Sequence, residues 1–219
     1  MRRIIICAAL LSGGCAQQPY PIVTSAGPTT VSDLESAGTP APDGWQANEM
    51  IIPAHNAGPV LGIMESYRKG RTPDGFEYRY FSDGSGSVNL DSDELSMHKW
   101  NVRCQTDKMD DSRSCTLSRM DAPLIVLFAG ERKPTAICAG MHDFPGKQAM
   151  FRIDGGHPIK ADRSGCISGH ALAEALKAKK ITVRHVKWPY EAEIDTEVIP
   201  TGMTSAIGLT EYLFSKSQS

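Results

Sequence analysis

Cys166 is the residue with the most chemistry open to it. It stands in Ser164-Gly165-Cys166-Ile167, with His157 upstream and His170 downstream. A cysteine thiolate beside an imidazole base can attack an acyl carbonyl, provided the thiol is free and its pKa is depressed. Cys104, Cys115 and Cys138 share the same half of the chain. In an oxidising compartment an even set of four cysteines reads as two disulfides, with three pairings open. Cys166 is therefore either a nucleophile or half of a cross-link. Other chemistry is sparse. His142, His157, His170 and His185 are scattered, with none of the short His/Cys spacings that hold a metal. Asp83-Gly84-Ser85-Gly86 and Asp154-Gly155-Gly156 read as hairpin turns rather than phosphate loops. Asp110-Asp111 and Asp91, Asp93 and Glu94 read as solvated loops. The residues predict no catalytic group, no metal and no cofactor.

The elements around Cys166 follow from spacing. Ala171 to Ala178 is rich in strong helix formers, with Leu172, Ala175 and Leu176 on one face. Ser168 is placed to cap that helix, and Lys177, Lys179 and Lys180 to meet its negative end. Ile181 and Val183 then restart a period of two, the spacing of a strand. Upstream, strand signals recur. Phe76 to Phe81 turns at 82–86 and returns over Ser87 to Leu90. His98 to Cys104 puts His98, Trp100, Val102 and Cys104 on one face, and Ser114 to Met120 puts Cys115, Leu117 and Arg119 on another. Leu124 to Ala129 is a continuous apolar run, and Thr135 to Gly140 carries Cys138. Gln148 to Ile153 and His157 to Ala161 flank a hairpin turn. Glu191 to Ile199 extends once more. Thr204 is placed to cap a final helix over Ser205 to Phe214. Many short strands with one central and one C-terminal helix predict a mainly β fold, a β-sandwich. Cys104 and Cys115 face each other across a predicted hairpin, which leaves Cys138 for Cys166. Lys177, Lys179, Lys180, Arg184 and Lys187 form a local basic run, read as a solvated helix end or as a contact for anionic envelope material.

The start of the chain has a different character. Arg2 and Arg3 precede the apolar run Ile4 to Leu11, then Ser12-Gly13-Gly14 and Cys15. A charged head, a short apolar stretch and small residues predict a signal peptide over 1–14. Cys15 resembles the lipid-attachment cysteine of bacterial lipoproteins, although Ser12 stands where such sites usually carry Leu. Residues 15–48 are rich in Pro, Ser, Thr, Ala and Gly, which predicts a flexible tether. Residues 49–219 are then one domain. Within it, Pro53 to Gly62 and Tyr67 to Gly75 are expected as exposed loops suited to recognition. Lys and Arg number 23 against 25 Asp and Glu. A net charge of −2 does not favour nucleic acid as a partner.

Several stretches resemble the invasion-associated locus B family of exported bacterial proteins. They are Trp100-Asn-Val-Arg-Cys104, Ser114-Cys-Thr-Leu117, Phe151-Arg-Ile-Asp154, Gly165-Cys166 before the helix, and Ile199-Pro-Thr-Gly202 leading towards Leu213. The resemblance runs over 100–213. It departs where that family carries two cysteines close together before the helix and this chain has only Cys166. It implies an exported, disulfide-stapled β-sandwich associated with the cell envelope and host invasion, without a catalytic site; the lipoprotein resemblance at Cys15 adds a lipid anchor in the periplasm, at the outer membrane. Its partner would be an envelope protein, cell-wall material or a host component. The competing resemblance is to L,D-transpeptidases, because Ser164-Gly165-Cys166 is similar to part of their Ser-His-Gly-Cys motif. It lacks the His, and the Arg expected further on is Ser168. It implies a cysteine acyl transferase acting on peptidoglycan through Cys166.

Overall fold

The computed structural model describes residues 22–24, 27–29, 41–51, 67–81, 83–91, 96–143, 146–189 and 191–216. The predicted signal peptide, Cys15 and the expected loop over 53–62 lie outside the described residues. The fold is mainly β, as expected: two antiparallel sheets, two helices and a small separate hairpin, β1 (Ile22–Thr24) with β2 (Gly27–Thr29).

The larger sheet is a meander of β3 (Gln46–Ile51), β4 (Tyr67–Arg71), β5 (Glu77–Phe81), β6 (Ser85–Asn89), β7 (Lys99–Thr106), β8 (Arg113–Arg119), β9 (Leu124–Ala129) and β10 (Ala136–Ala139). Each strand pairs with the next. The smaller sheet has the order β12 (Ile159–Lys160), β11 (Met150–Ile153), β14 (Ile181–Val186), β15 (Glu193–Val198). Between β12 and β14 the chain leaves this sheet. It adds β13 (Cys166–Ile167) to the large sheet beside β10, forms α1 (Gly169–Ala175) and returns. The long helix α2 (Met203–Lys216) packs on β6, β7 and β8.

Strict alternation explains the burial. Trp100, Val102 and Cys104 of β7, Cys115 and Leu117 of β8, and Leu124, Val126 and Phe128 of β9 all point inward and are buried. They join Phe151, Ile181, Val183 and Val198 of the small sheet, Leu172 and Ala175 of α1, and Leu209 and Leu213 of α2 in one core. The apolar run of β9 is buried on its inner side only, since Ile125 and Leu127 remain half-exposed.

Several expectations are corrected. Tyr67 to Arg71 is a strand rather than a loop, and only the turn after it, up to Gly75, is irregular. The folded unit takes in residues expected in the tether: β3 begins at Gln46, and Trp45 packs edge-on to Tyr78 with ring centroids 4.9 Å apart. That edge depends on Gly70, where a Cβ would collide with the Gln46 carbonyl oxygen and the Tyr78 ring. The first helix starts at Gly169 and ends at Ala175, so Lys177, Lys179 and Lys180 lie beyond it; Ser168 is the N-cap residue but its side chain makes no capping bond. The second helix starts at Met203, so Thr204 is inside it. The turn before it is made by Gly202, whose φ is +69° and where a Cβ would meet Leu90. His98 precedes β7 and is exposed beside Asp121, at 3.3 Å.

Candidate binding surfaces

Cys166 is bonded to Cys138, with the two residues directly opposite on β13 and β10 and their Cα atoms 3.9 Å apart. Cys104 and Cys115 are bonded across β7 and β8, Cα to Cα 4.1 Å. Both pairs expected from the sequence are present. A bridged sulfur carries no thiolate, so Cys166 in this state has no nucleophile to offer.

The turn before Cys166 is built around Asp162. Its Oδ1 accepts the Ser164 N–H at 2.9 Å, the Ser164 hydroxyl at 2.6 Å and the Cys166 N–H at 2.9 Å. These bonds hold the Asp162 carboxyl below its ordinary range, the Ser164 contact contributing most. Gly165 follows with φ +78°, and its carbonyl accepts the Ala139 N–H of β10. The turn therefore docks the crossover onto the large sheet.

The histidines do not converge on the sulfur. His157 is exposed in the β11–β12 turn, and His170 is exposed beside Glu174. His142 is the imidazole next to the turn, with its Cδ2 against Gly165. Its Nδ1 accepts the Val186 N–H at 3.1 Å, which leaves Nε2–H to donate to the Lys147 carbonyl at 3.2 Å. Both ring nitrogens thus hold loop to strand. His185 is buried on β14 with Nδ1 unpartnered, and burial first, then the nearby His142, lowers its pKa. Among the described residues no group of three His, Cys, Asp or Glu side chains is arranged to hold a metal ion.

Two outward sheet surfaces remain as places for a partner. On the small sheet, a groove of about 400 Å³ runs past Phe151, Arg152, Pro158, Thr182 and Arg184. Here Lys180 and Arg184, two of the five residues of the basic run, are neutralised by the neighbouring strand. Arg184 donates to both Asp195 oxygens at 2.6 and 2.7 Å and to Glu193 at 2.9 Å, and Lys180 reaches Glu197 at 2.9 Å. The Arg184 contact holds the Asp195 carboxyl below its usual range.

The outward face of the large sheet differs. Alternation places Lys69 and Arg71 of β4, Glu77 and Arg79 of β5, and Lys99 and Arg103 of β7 on it. Glu77 lies 3.8 Å from both Lys69 and Arg71. Arg79 donates to Ser87 Oγ at 3.2 Å. Among the described residues Arg79, Lys99 and Arg103 have no carboxylate within ion-pair distance. No run in the chain marks this surface, because its cations are spread over three strands at alternating positions.

Among the described residues no helix is long and apolar enough to cross a membrane. No family model matches the chain, and no curated protein or solved structure matches it either.

Proposed function

We propose that this is an exported envelope protein whose folded domain binds rather than catalyses, akin to the invasion-associated locus B proteins. In this reading residues 1–14 are removed, Cys15 carries the lipid, and the chain is held in the periplasm at the outer membrane. Its partner is another envelope protein, cell-wall material or a host component. One observation supports this above the rest: Cys104–Cys115 and Cys138–Cys166 are both bridged, which suits an oxidising compartment and leaves those sulfurs without a reacting thiol. The cysteine acyl transferase reading requires the opposite, a free Cys166 with an adjacent base.

Alkylation of the unreduced, denatured protein from an envelope fraction tests the reading. No thiol is expected to react at any of these four positions; a labelled Cys166 would restore the acyl transferase. Intact mass tests the anchor. The mature chain is expected to start at Cys15 with added acyl mass and to enter the detergent phase, and Cys15→Ala is expected to move it to the aqueous phase. An unmodified Cys15 would remove the lipid from the proposal.

A further inference from the structure

We infer that the outward face of the large sheet is a docking surface for an anionic polysaccharide, a chain of sugars bearing sulfate, phosphate or carboxylate groups. This deepens the binding role proposed above by naming the partner's chemistry, and rests on that role for where the partner is met.

The charge is local. The chain as a whole is acidic by two charges. Yet, among the described side chains, this face sets Lys69, Arg71, Arg79, Lys99 and Arg103 against Glu77, with Glu49 of β3 at the register position across from Lys69. Asp83, Asp107 and Asp110 lie at the strand ends, where each accepts hydrogen bonds from its own turn. On the small sheet, by contrast, Lys180 and Arg184 face acids across the strand pair. A protein of negative net charge gains no general attraction to a polyanion, so any affinity has to come from a patch.

The relief of the face selects among polyanions. Between the cations stand hydroxyls and amides: Asn101 and Ser118, half-exposed, and Thr116, exposed. These can exchange hydrogen bonds with sugar hydroxyls in both directions. Arg79 and Arg103 lie on strands two apart and one inward–outward repeat out of step. With strands about 4.8 Å apart and a rise of about 3.4 Å per residue, they are about 12 Å from each other. That is a span suited to successive charged units of a linear glycan. The Ser87 bond fixes Arg79 by Nε, which leaves the rest of its guanidinium fork for an anion. The large exposed apolar side chains, among them Met97, Met109, Met120, Met141 and Trp188, belong to turns and ends rather than to this face. Among the described side chains the face therefore offers no large exposed apolar wedge for a bilayer, Phe81 being half-buried on it.

The test uses the full chain in non-ionic detergent, disulfides intact, with heparin as the probe. Saturable binding at low salt that weakens as salt rises is expected. The Arg79→Glu/Arg103→Glu pair is expected to lower affinity at least tenfold and to flatten the salt dependence. Lys179→Glu/Lys187→Glu, the same charge change off this face, is expected to leave affinity within twofold. If the first pair unfolds the protein, Arg79→Gln/Arg103→Gln replaces it, with a loss of a few-fold expected. Absence of binding, or equal loss in the Lys179/Lys187 control, would overturn the inference. So would tighter binding to phosphatidylglycerol vesicles or to duplex DNA. Lack of heparin binding with no free thiol refutes this inference and leaves the scaffold intact. A free Cys166 with heparin binding refutes the scaffold and supports the docking face.

Discussion

Asp154 and Asp162 do comparable work at two turns. Asp154 Oδ1 accepts the amides of Lys179 at 2.9 Å and Lys180 at 2.8 Å, fixing the chain between α1 and β14 while its own φ is +47°. The pattern Asp162-Arg-Ser-Gly165 is one in which an Asp side chain closes its own turn. That signal is present in the sequence itself. Asp154→Ala removes two bonds to backbone amides and is expected to cost about 1–3 kcal/mol, read from the denaturant midpoint. His185 makes a pH prediction. Its folded pKa lies below the ordinary value of 6.5, because burial disfavours the charged ring. Above about 6.5 both states are neutral at this site and its effect is nil. As pH falls below that, the unfolded chain takes up the proton first, so stability declines until the depressed folded pKa is reached. The urea midpoint is expected to fall between pH 7 and 5, and His185→Leu is expected to flatten that part of the curve. The carboxylates held low, such as Asp121 and Asp195, withdraw their stabilisation only at more acid pH, from near 3.8 downward.

The elements explain how α2 is held. Near its N-terminus Ser205 donates to Asp74 of the β4–β5 turn, and near its C-terminus Arg113 of β8 donates to the Leu213 carbonyl at 2.9 Å. An anion at one end and a cation at the other suit the helix dipole. Arg113 is buried with its guanidinium 4.9 Å from the Phe214 ring centroid, and its Nε and Nη1 have no partner. Arg113→Ala is expected to cost about 2–3 kcal/mol, through lost packing and an orphaned carbonyl. Arg113→Met is expected to recover more than half of that, because the stem is refilled and no unpartnered N–H is buried. Equal loss in both would show that the charge on the helix end dominates. The disulfides also act on elements. Their sequence separations are 11 and 28 residues. Chain entropy alone gives about 3 kcal/mol for the first and about 3.6 for the second. The Cys138→Ala/Cys166→Ala pair is therefore expected to lower the melting temperature more than Cys104→Ala/Cys115→Ala. The first bond reinforces a hairpin that closes by itself, whereas the second pins the crossover between sheets. A larger loss from the hairpin pair would overturn that assignment.

At the scale of the molecule, α2 and the small sheet close the inner side of the large sheet. Trp100 marks the join: its indole N–H donates to the Thr201 carbonyl at 2.8 Å, just before α2. Legible in the chain alone were most of the strands from Glu77 onward, though not β3, β4 or β13, together with the hairpins over 98–120 and 148–161, both helices and the Cys104–Cys115 pair. Each rests on a period of two or 3.6 residues or on turn chemistry, and such signals are complete within a few residues. The chain alone places helix ends less well, because ends are set by what the last turn packs against. Beyond those hairpins, which strands lie side by side follows from the packed fold. Alternation assigns a side chain to one of two faces but does not say whose face it joins. That is why Glu193, Asp195 and Glu197 neutralise Lys180 and Arg184 within a run that looks basic in the chain. It is also why Lys69, Arg79, Lys99 and Arg103, unremarkable in their own strands, come together on a single surface.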